Sequence, residues 1–291
     1  MATTKNSAEW VDILRPTKGD LNWLKSKFHI HPLILEELRS PSARSHVESY
    51  RNYVYLIYYF PIYDPKEETS RRTEIDFLIM KDVVITVHYD QLEALADIKS
   101  KSAESSLKLT YKLIEGLLNF QERQLRHIRE KVEEIGGKLF KDKEKEVLQR
   151  VSRVKRDVSE YRIITRHQGV ILRSLLRHGP EFWGEESEVY LNDLIGDHLK
   201  VVDQVEDYRD AVGDFEDTNN QMMSLKINTV MKTFTTLSFL TFPFMLLAAL
   251  FSMNTRDTPI IGLPYAFWIV VVVMAVAMIT LTIYFKRKGW F

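Results

Sequence analysis

The sequence predicts an α+β head domain, a helical domain with a long stalk helix, and two transmembrane helices. Three observations predict it. Residues 233–255 and 258–285, 23 and 28 positions long, contain no charged side chain, and a transmembrane helix needs about 20 apolar residues. Runs of β-branched and aromatic residues fall within the first 90 positions. From about Leu92 onward such runs stop, and apolar residues recur at helical spacing among dense charge.

Composition narrows the class of function. The chain has 291 residues, and 45% of them are hydrophobic, enough to bury a sizeable core. Without cysteine there is no disulfide scaffold, cysteine zinc site or thiol nucleophile. The 40 Lys and Arg balance the 40 Asp and Glu, which argues against nucleic acid as a partner held by bulk positive charge. The balance is uneven along the chain. The first 232 residues hold 36 basic and 39 acidic side chains, whereas the remainder has Arg256, Lys286, Arg287 and Lys288 against Asp257 alone.

The head is assigned to residues 1–90. HPLILEELRS, residues 31–40, reads as a short helix beginning near Pro32. YVYLIYYF (53–60), IDFLIM (75–80) and VVITVH (83–88) read as strands, with Lys81-Asp82 as a tight hairpin turn. Residues 64–72 read as a polar, exposed linker, and the sheet is at least partly antiparallel. The helical domain and stalk are assigned to residues 91–232. Stretches 107–135 and 143–177 have amphipathic helical spacing, with Gly136-Gly137 and Gly179-Pro180 as breaks. From about Glu186 the helical pattern meets no proline until Pro243. Continued to Asn254 it makes one helix of roughly 68 residues, about 100 Å long. Pro243 is expected to loosen or kink it.

The membrane part divides into a first span (233–254), an outer loop (255–264), a second span (265–285) and a basic tail (286–291). MATTKNSAEW lacks an apolar core, so no cleaved signal is expected. Lys226, Lys232 and the Lys286-Arg287-Lys288 run flank the spans on one side, while the loop between them has Arg256 offset by Asp257. The positive-inside rule then places both termini in the cytoplasm of a multi-pass plasma-membrane protein. Tyr265, Trp268, Tyr284 and Trp290 sit near span ends, where amphipathic rings prefer to lie.

The first span carries a stripe of polar, thioether, aromatic and small residues at alternating steps of three and four. It runs Asn228, Met231, Thr235, Ser238, Phe242, Met245 and Ala249. That spacing suits a helix facing copies of itself in a bundle. Two spans cannot enclose a conduit, so a pore needs an oligomer. Equally open on periodicity is a plain anchor whose Ser and Thr bond back to their own helix carbonyls. No Gly-rich phosphate loop, HExxH or nucleophile elbow is present, so neither an enzyme nor a resident cofactor is expected. His29 and His31 read as helix-start residues rather than metal ligands, and His88, His127 and His167 as surface or capping groups.

Ser252-Met253-Asn254, at the outer end of the first span, resembles the Gly-Met-Asn signature of the CorA family of magnesium channels, with Ser in place of Gly. NTVMKTFTTL (228–237) resembles that family's Asn-Glu-Val-Met-Lys-x-Leu-Thr at the start of its pore helix. Pro243 falls at its mid-span proline. HPLILEEL, YVYLIYYF, FLIMKDVVITVH and the terminal KRKGWF are similar to further family segments, so the likeness runs from about residue 25 to 291.

The resemblance implies a funnel-shaped homopentamer in a lipid bilayer that passes hydrated divalent cations, Mg²⁺ above all, with Co²⁺ and Ni²⁺ as further cargo. It implies that Ser252, Met253 and Asn254 form the selectivity filter and that the stripe lines the pore. Mg²⁺ sheds water reluctantly, so a ring of neutral Asn254 carbonyls would recognise it through its waters and still let it leave. Asp257 is the one acid of the outer loop. The family also implies gating by Mg²⁺ bound between cytoplasmic domains. Asp193 falls closest to the family's stalk aspartate, with Asp197 as the alternative, and Asp90 is the partner chosen here. Ser252, the short outer loop without Met-Pro-Glu, and the bulky Phe242 depart from the family pattern. They leave a zinc transporter of the same family, or a non-conducting membrane scaffold, as the alternatives.

Overall fold

The computed structural model describes residues 7–96, 98, 102–140, 144–253 and 264–289. The chain divides into two compact units, one ending at Asp217 and the other beginning at Thr218.

The first unit opens with β1 (Ala8–Leu14), α1 (Lys18–Phe28) and α2 (Pro32–Glu37). Thr17 and Asp20 close a reciprocal capping box on α1, at 2.8 and 3.3 Å. His29 ends α1 in the left-handed region at φ 55°, and the His31 Nδ1 accepts the Leu33 N–H to cap α2. His31 therefore starts a helix as the sequence predicts, whereas His29 ends one. Strands β2 (Val47–Ser49), β3 (Val54–Asp64), β4 (Thr69–Ile79) and β5 (Val83–His88) follow, then the short α3 (Glu93–Ala96) and β6 (Ser102–Ala103). Helices α4 (Ser106–Gln124), α5 (Arg126–Lys138) and α6 (Glu144–Trp183) come next, and α7 (Ser187–Ser252) begins in this unit.

The six strands form one sheet in the order β2-β3-β4-β5-β1-β6. It is mixed: β1 runs parallel to β5, and every other pair is antiparallel. Residues 53–60 are apolar without alternation because both faces of β3 are covered. Leu56, Tyr58 and Phe60 pack with Leu113 and Leu117 of α4 and Leu172 of α6, whereas Tyr55, Ile57 and Tyr59 pack with Leu24 of α1 and Ile34 of α2. A separate core joins α5, α6 and α7 through Ile128, Val132, Val154, Val158, Val201 and Val205.

Two expectations are corrected. Residues 64–72 are not a linker: only 65–68 form the turn, and Thr69–Arg72 pair with β3 from Asp64 back to Pro61. The Asp64 carboxylate accepts the Lys66 N–H and fixes the turn. Ser70 is buried, and its N–H donates to Asp157 of α6 at 2.7 Å, so this polar half-strand is held by a partner far along the chain. The glycine pairs are not breaks either. Gly136 and Gly137 lie inside α5, and α6 runs through Gly179-Pro180 to Trp183. Gly179 serves close approach: a Cβ there would lie 2.6 Å from Leu191 Cδ1. The break falls instead at Leu125, between α4 and α5.

In the second unit, α7 continues to Ser252 without interruption at Pro243, and α8 (Ala266–Arg287) follows. Both helices are long and apolar enough to cross a membrane. The Lys232 end of the apolar stretch of α7 and the C-terminal end of α8 are joined by a hydrogen bond from Lys232 Nζ to the Gly289 carbonyl.

Candidate cation pathway

The seven stripe residues, Asn228, Met231, Thr235, Ser238, Phe242, Met245 and Ala249, all lie on α7 with their side chains exposed in the single chain. Exposure alone does not select this face, since Phe234 and Phe239 are equally exposed. Burial does. Along the span, Thr236 at 0% and Phe244 at 7% are the deeply buried positions. At about 100° per residue, the direction midway between them lies about 180° from the mean direction of the stripe. The stripe is thus the face opposite the one that packs within the chain.

Several hydroxyls of this helix are used internally. Thr229, Thr233, Thr236, Ser238 and Thr241 each donate to the carbonyl four residues back, at 2.8 to 3.0 Å. The bonding that the anchor reading invokes is therefore present, and it has a consequence for the stripe. The Ser238 proton is committed to the Phe234 carbonyl, so its oxygen presents lone pairs outward. Such an oxygen can accept a hydrogen bond from water.

Ser252 is the last residue of α7, and the exposed Met253 follows it with its N–H on the Leu250 carbonyl at 3.2 Å. Asn254 and Asp257 lie outside the described residues.

The three acids of the first unit that the sequence singles out are already engaged. Asp90, just after β5, receives Arg71 at 3.0 and 3.2 Å and the Thr73 hydroxyl at 2.7 Å. The Arg71 guanidinium holds its carboxyl below the usual carboxylate range against the opposing effect of burial. Asp193 on α7 accepts the Tyr111 hydroxyl at 2.7 Å, which pushes the Tyr111 phenol up. Asp197, one turn on, pairs with Lys200 at 2.7 Å. Asp90 and Asp193 share no partner, and among the described residues no three His, Asp or Glu side chains of one chain converge on a common point.

His88 is a further correction. It is buried rather than a surface group, with Nδ1 on the Asp90 carbonyl at 2.6 Å and Nε2 on Asp12 at 3.2 Å. Parallel pairing of β1 with β5 places Asp12 and Thr86 opposite each other, and Thr86 donates to Asp12 at 2.5 Å. Burial lowers the His88 pKa, but the Asp12 and Asp90 hydrogen bonds outweigh it and leave a net upward shift. His127 is likewise tied inward, to Asp157 at 3.0 Å, while His167 is exposed at the edge of the Tyr59 ring. The clamp on Asp90 was missed by sequence reasoning because Arg71 lies in the stretch read as linker.

Over residues 5–287 the chain matches the family described as CorA-like Mg²⁺ transporter protein. The cobalt/magnesium transport protein CorA of Thermotoga maritima is 27% identical over 293 residues, spanning 97% of this chain and 83% of that protein. The complete structure of the CorA magnesium transporter from Methanocaldococcus jannaschii is similar with a TM-score of 0.83 at 20% identity, over 97% of this chain and 91% of that one. The ZntB cytoplasmic domain from Vibrio parahaemolyticus is similar with a TM-score of 0.58 at 17% identity, over 75% and 88%. At these identities the structural likenesses establish the fold: an α/β domain, a long helix and two apolar C-terminal helices.

Proposed function

Because the chain belongs to the CorA-like Mg²⁺ transporter family, we propose that it carries divalent cations, Mg²⁺ first among them, across the plasma membrane through a pore built from the α7 helices of five copies. The observation that carries the pore is the placement of the stripe on the side of α7 opposite buried Thr236 and Phe244. Among the described residues that face lacks a partner within its own chain, and it has the periodicity needed to meet copies of itself.

In this reading both termini are cytoplasmic, as the Lys and Arg flanks of the spans require. Hydrated Mg²⁺ enters at Ser252-Met253-Asn254, where the Asn254 side-chain carbonyls accept hydrogen bonds from its waters. Lone pairs on Ser238 and the amide of Asn228 continue the path, and the Phe242 ring narrows it, which suits gating by dewetting. Asp257 is the one acid available to draw cations to the outer mouth. Asp90, with Asp193 or Asp197 of a neighbouring copy, forms the regulatory Mg²⁺ site. Each acid is monovalent and already partnered, so the cation must draw ligands from two subunits. Mg²⁺ bound there offsets repulsion between subunits and favours the closed state.

Flux of Mg²⁺, Co²⁺, Zn²⁺ and Na⁺ into proteoliposomes tests the reading, with native mass spectrometry on the same preparation. Mg²⁺ flux by a pentamer is the expected result. Asn254→Ala should lower it at least tenfold, about 1.4 kcal/mol, with the oligomer unchanged, and Ser252→Gly should keep or raise it. Zn²⁺ flux well above Mg²⁺ flux reassigns the cargo. A pentamer that passes no cation is a scaffold, and a conducting monomer or dimer removes the pore model.

A further inference from the structure

Glu74 and Asp76 stand two residues apart on β4, so their side chains share one face of the sheet. It is the face on which α1 and α2 pack, and β3 sets Tyr59 and Ile57 opposite the two acids. Both are buried, Glu74 at 4% exposure and Asp76 at 0%. A buried carboxylate needs a counter-charge or hydrogen-bond donors, and the two acids differ in what they have.

Both oxygens of Glu74 accept the Ser42 N–H, at 2.8 and 3.0 Å. The Arg72 guanidinium, seated over the Tyr59 ring at 4.3 Å, offsets part of its charge. Ser42 belongs to the segment 41–46 that joins α2 to β2. The Ser42 carbonyl accepts the Tyr59 hydroxyl at 3.2 Å, and the His46 carbonyl accepts the Ile57 N–H at 3.0 Å, so backbone bonds dock the segment on this face. Asp76 is poorer in donors. Its Oδ2 accepts the Tyr89 hydroxyl at 3.2 Å, and its Oδ1 is buried without a donor. Glu74 and Glu37 of α2 both act on it with negative charge. Tyr55 of β3 feels the Asp76 charge, and its hydroxyl is itself buried without a partner. His46 stands 3.8 Å from Glu37. α1 meets this face with Leu21 and Leu24, and α6 with Ile164 and with His167 at the edge of the Tyr59 ring.

Two ionised carboxylates this close, out of water, repel each other, and one proton between them removes the repulsion. Glu74, facing the Ser42 N–H and Arg72, is the better seat for the charge. Burial, and then the Glu74 charge, push the Asp76 carboxyl well above its usual 3.8. Asp76 then donates the hydrogen bond that Oδ1 cannot receive. We propose that Glu74 and Asp76 form a proton-binding site, filled near neutral pH by one shared proton, and that this proton keeps the segment 41–46 docked through Glu74 and Ser42. When rising pH removes the proton to solvent, two buried charges remain. They separate by breaking the contact between Glu74 and Ser42, which frees the segment. The proposal concerns the first unit alone and is independent of cation transport.

Infrared spectroscopy on the full-length protein in detergent tests the proton, and hydrogen exchange read by mass spectrometry tests the segment. Near neutral pH the parent should show the carbonyl stretch of a protonated carboxylic acid. Asp76→Asn should lack it, because its amide donates to Glu74 and has no proton to lose. As the pH is raised until the parent's band disappears, exchange of peptides covering 41–46 should speed up about tenfold beyond the intrinsic effect of pH. The same peptides of Asp76→Asn should stay protected. A carboxyl whose folded value is raised loses stability as pH rises, so the thermal midpoint of Asp76→Asn should gain on the parent's from about pH 5 to about pH 8. Glu74→Gln removes the charge that holds the proton and should also lose both the band and the pH dependence of exchange, so the result does not hang on one variant folding. A parent without a protonated-acid band, a band that survives in both variants, or a parent band that titrates with no change in exchange over 41–46 would each overturn the proposal.

Discussion

The Arg71 guanidinium grips both carboxylate oxygens of Asp90, at 3.0 and 3.2 Å, from the neighbouring strand of the same chain. A guanidinium in that position competes directly with a cation for the same oxygens. If Asp90 contributes to a regulatory Mg²⁺ site, the clamp sets how much internal Mg²⁺ is needed to fill it. Arg71→Gln should then lower the internal Mg²⁺ concentration that half-inhibits flux by about threefold, the scale of a partly exposed ion pair. Asp90→Asn should raise it. Dose-response curves in proteoliposomes check both, and two curves identical to the parent would remove Asp90 from regulation.

Asp157 is fully buried and bound by the Ser70 N–H at 2.7 Å, His127 at 3.0 Å and Lys131 at 3.3 Å. Burial pushes its carboxyl up, but the hydrogen bonds from His127 and Ser70 prevail and leave it below the usual value of 3.8. Its stabilising effect is therefore complete above pH 3.8 and is lost as the pH falls through the lower folded-state value. Asp157→Ala would orphan a buried backbone N–H and two polar side chains. The expected loss is about 3–5 kcal/mol, read as a large drop in thermal midpoint at pH 7. Asp157→Asn keeps an acceptor for Ser70 and should cost clearly less.

His198 of α7 is buried against α6, where a Cβ on Gly169 would come within 2.9 Å of its Nε2. Burial, and then the nearby Arg173 guanidinium, lowers its pKa from 6.5 to about 4. The unfolded chain takes up this proton first as the pH drops, so stability falls from pH 6.5 down to about 4. By pH 5 the loss attributable to this one group is about 2 kcal/mol. Urea unfolding of the parent and of His198→Leu at pH 7 and pH 5 isolates it. The variant should lose about 2 kcal/mol less between the two values, and equal losses would show that His198 takes up its proton as readily in the fold as in the unfolded chain. Gly169→Val should destabilise the same contact at both pH values, by about 1–3 kcal/mol, through overpacking.

How much of this was legible depended on how local the cause was. β3 and β5 announce themselves because their β-branched and aromatic runs are set by burial of those same residues. β1 was missed: its Trp10 and Asp12 side chains turn to Thr86, more than 70 residues away, and no apolar alternation marks that partner. The polar half of β4 looked like a linker because its anchor, Asp157, sits on a helix 87 residues on. The glycines of α5 and α6 looked like breaks because a sequence does not display what would meet their Cβ. A Phe215 ring atom lies 3.2 Å from the place on Gly136. The stripe on α7 was legible because helical spacing alone places its members on one side. The face it opposes was not, since the burial of Thr236 and Phe244 comes from folding.

Phe242 and Phe244 turn that distinction into a test. They are two residues apart on one helix, yet Phe242 is 64% exposed and Phe244 7% exposed. About 200° of helix rotation separates them, so they point to nearly opposite sides. If the stripe lines the pore, Phe242→Ala widens a constriction while removing little packing inside the chain. Flux should rise, leak to Na⁺ should appear, and the thermal midpoint should stay near that of the parent. Phe244→Ala removes a buried ring, and changes of that kind cost about 3–5 kcal/mol in a well-packed site. Its signature is the reverse: a lower thermal midpoint and poorer yield, with the ion selectivity of the surviving protein unchanged. Measuring flux and unfolding on both variants separates the two faces. A selectivity change in Phe244→Ala with none in Phe242→Ala would place the conduit on the other side of α7, because the residue that controls passage must be the one that faces the ion.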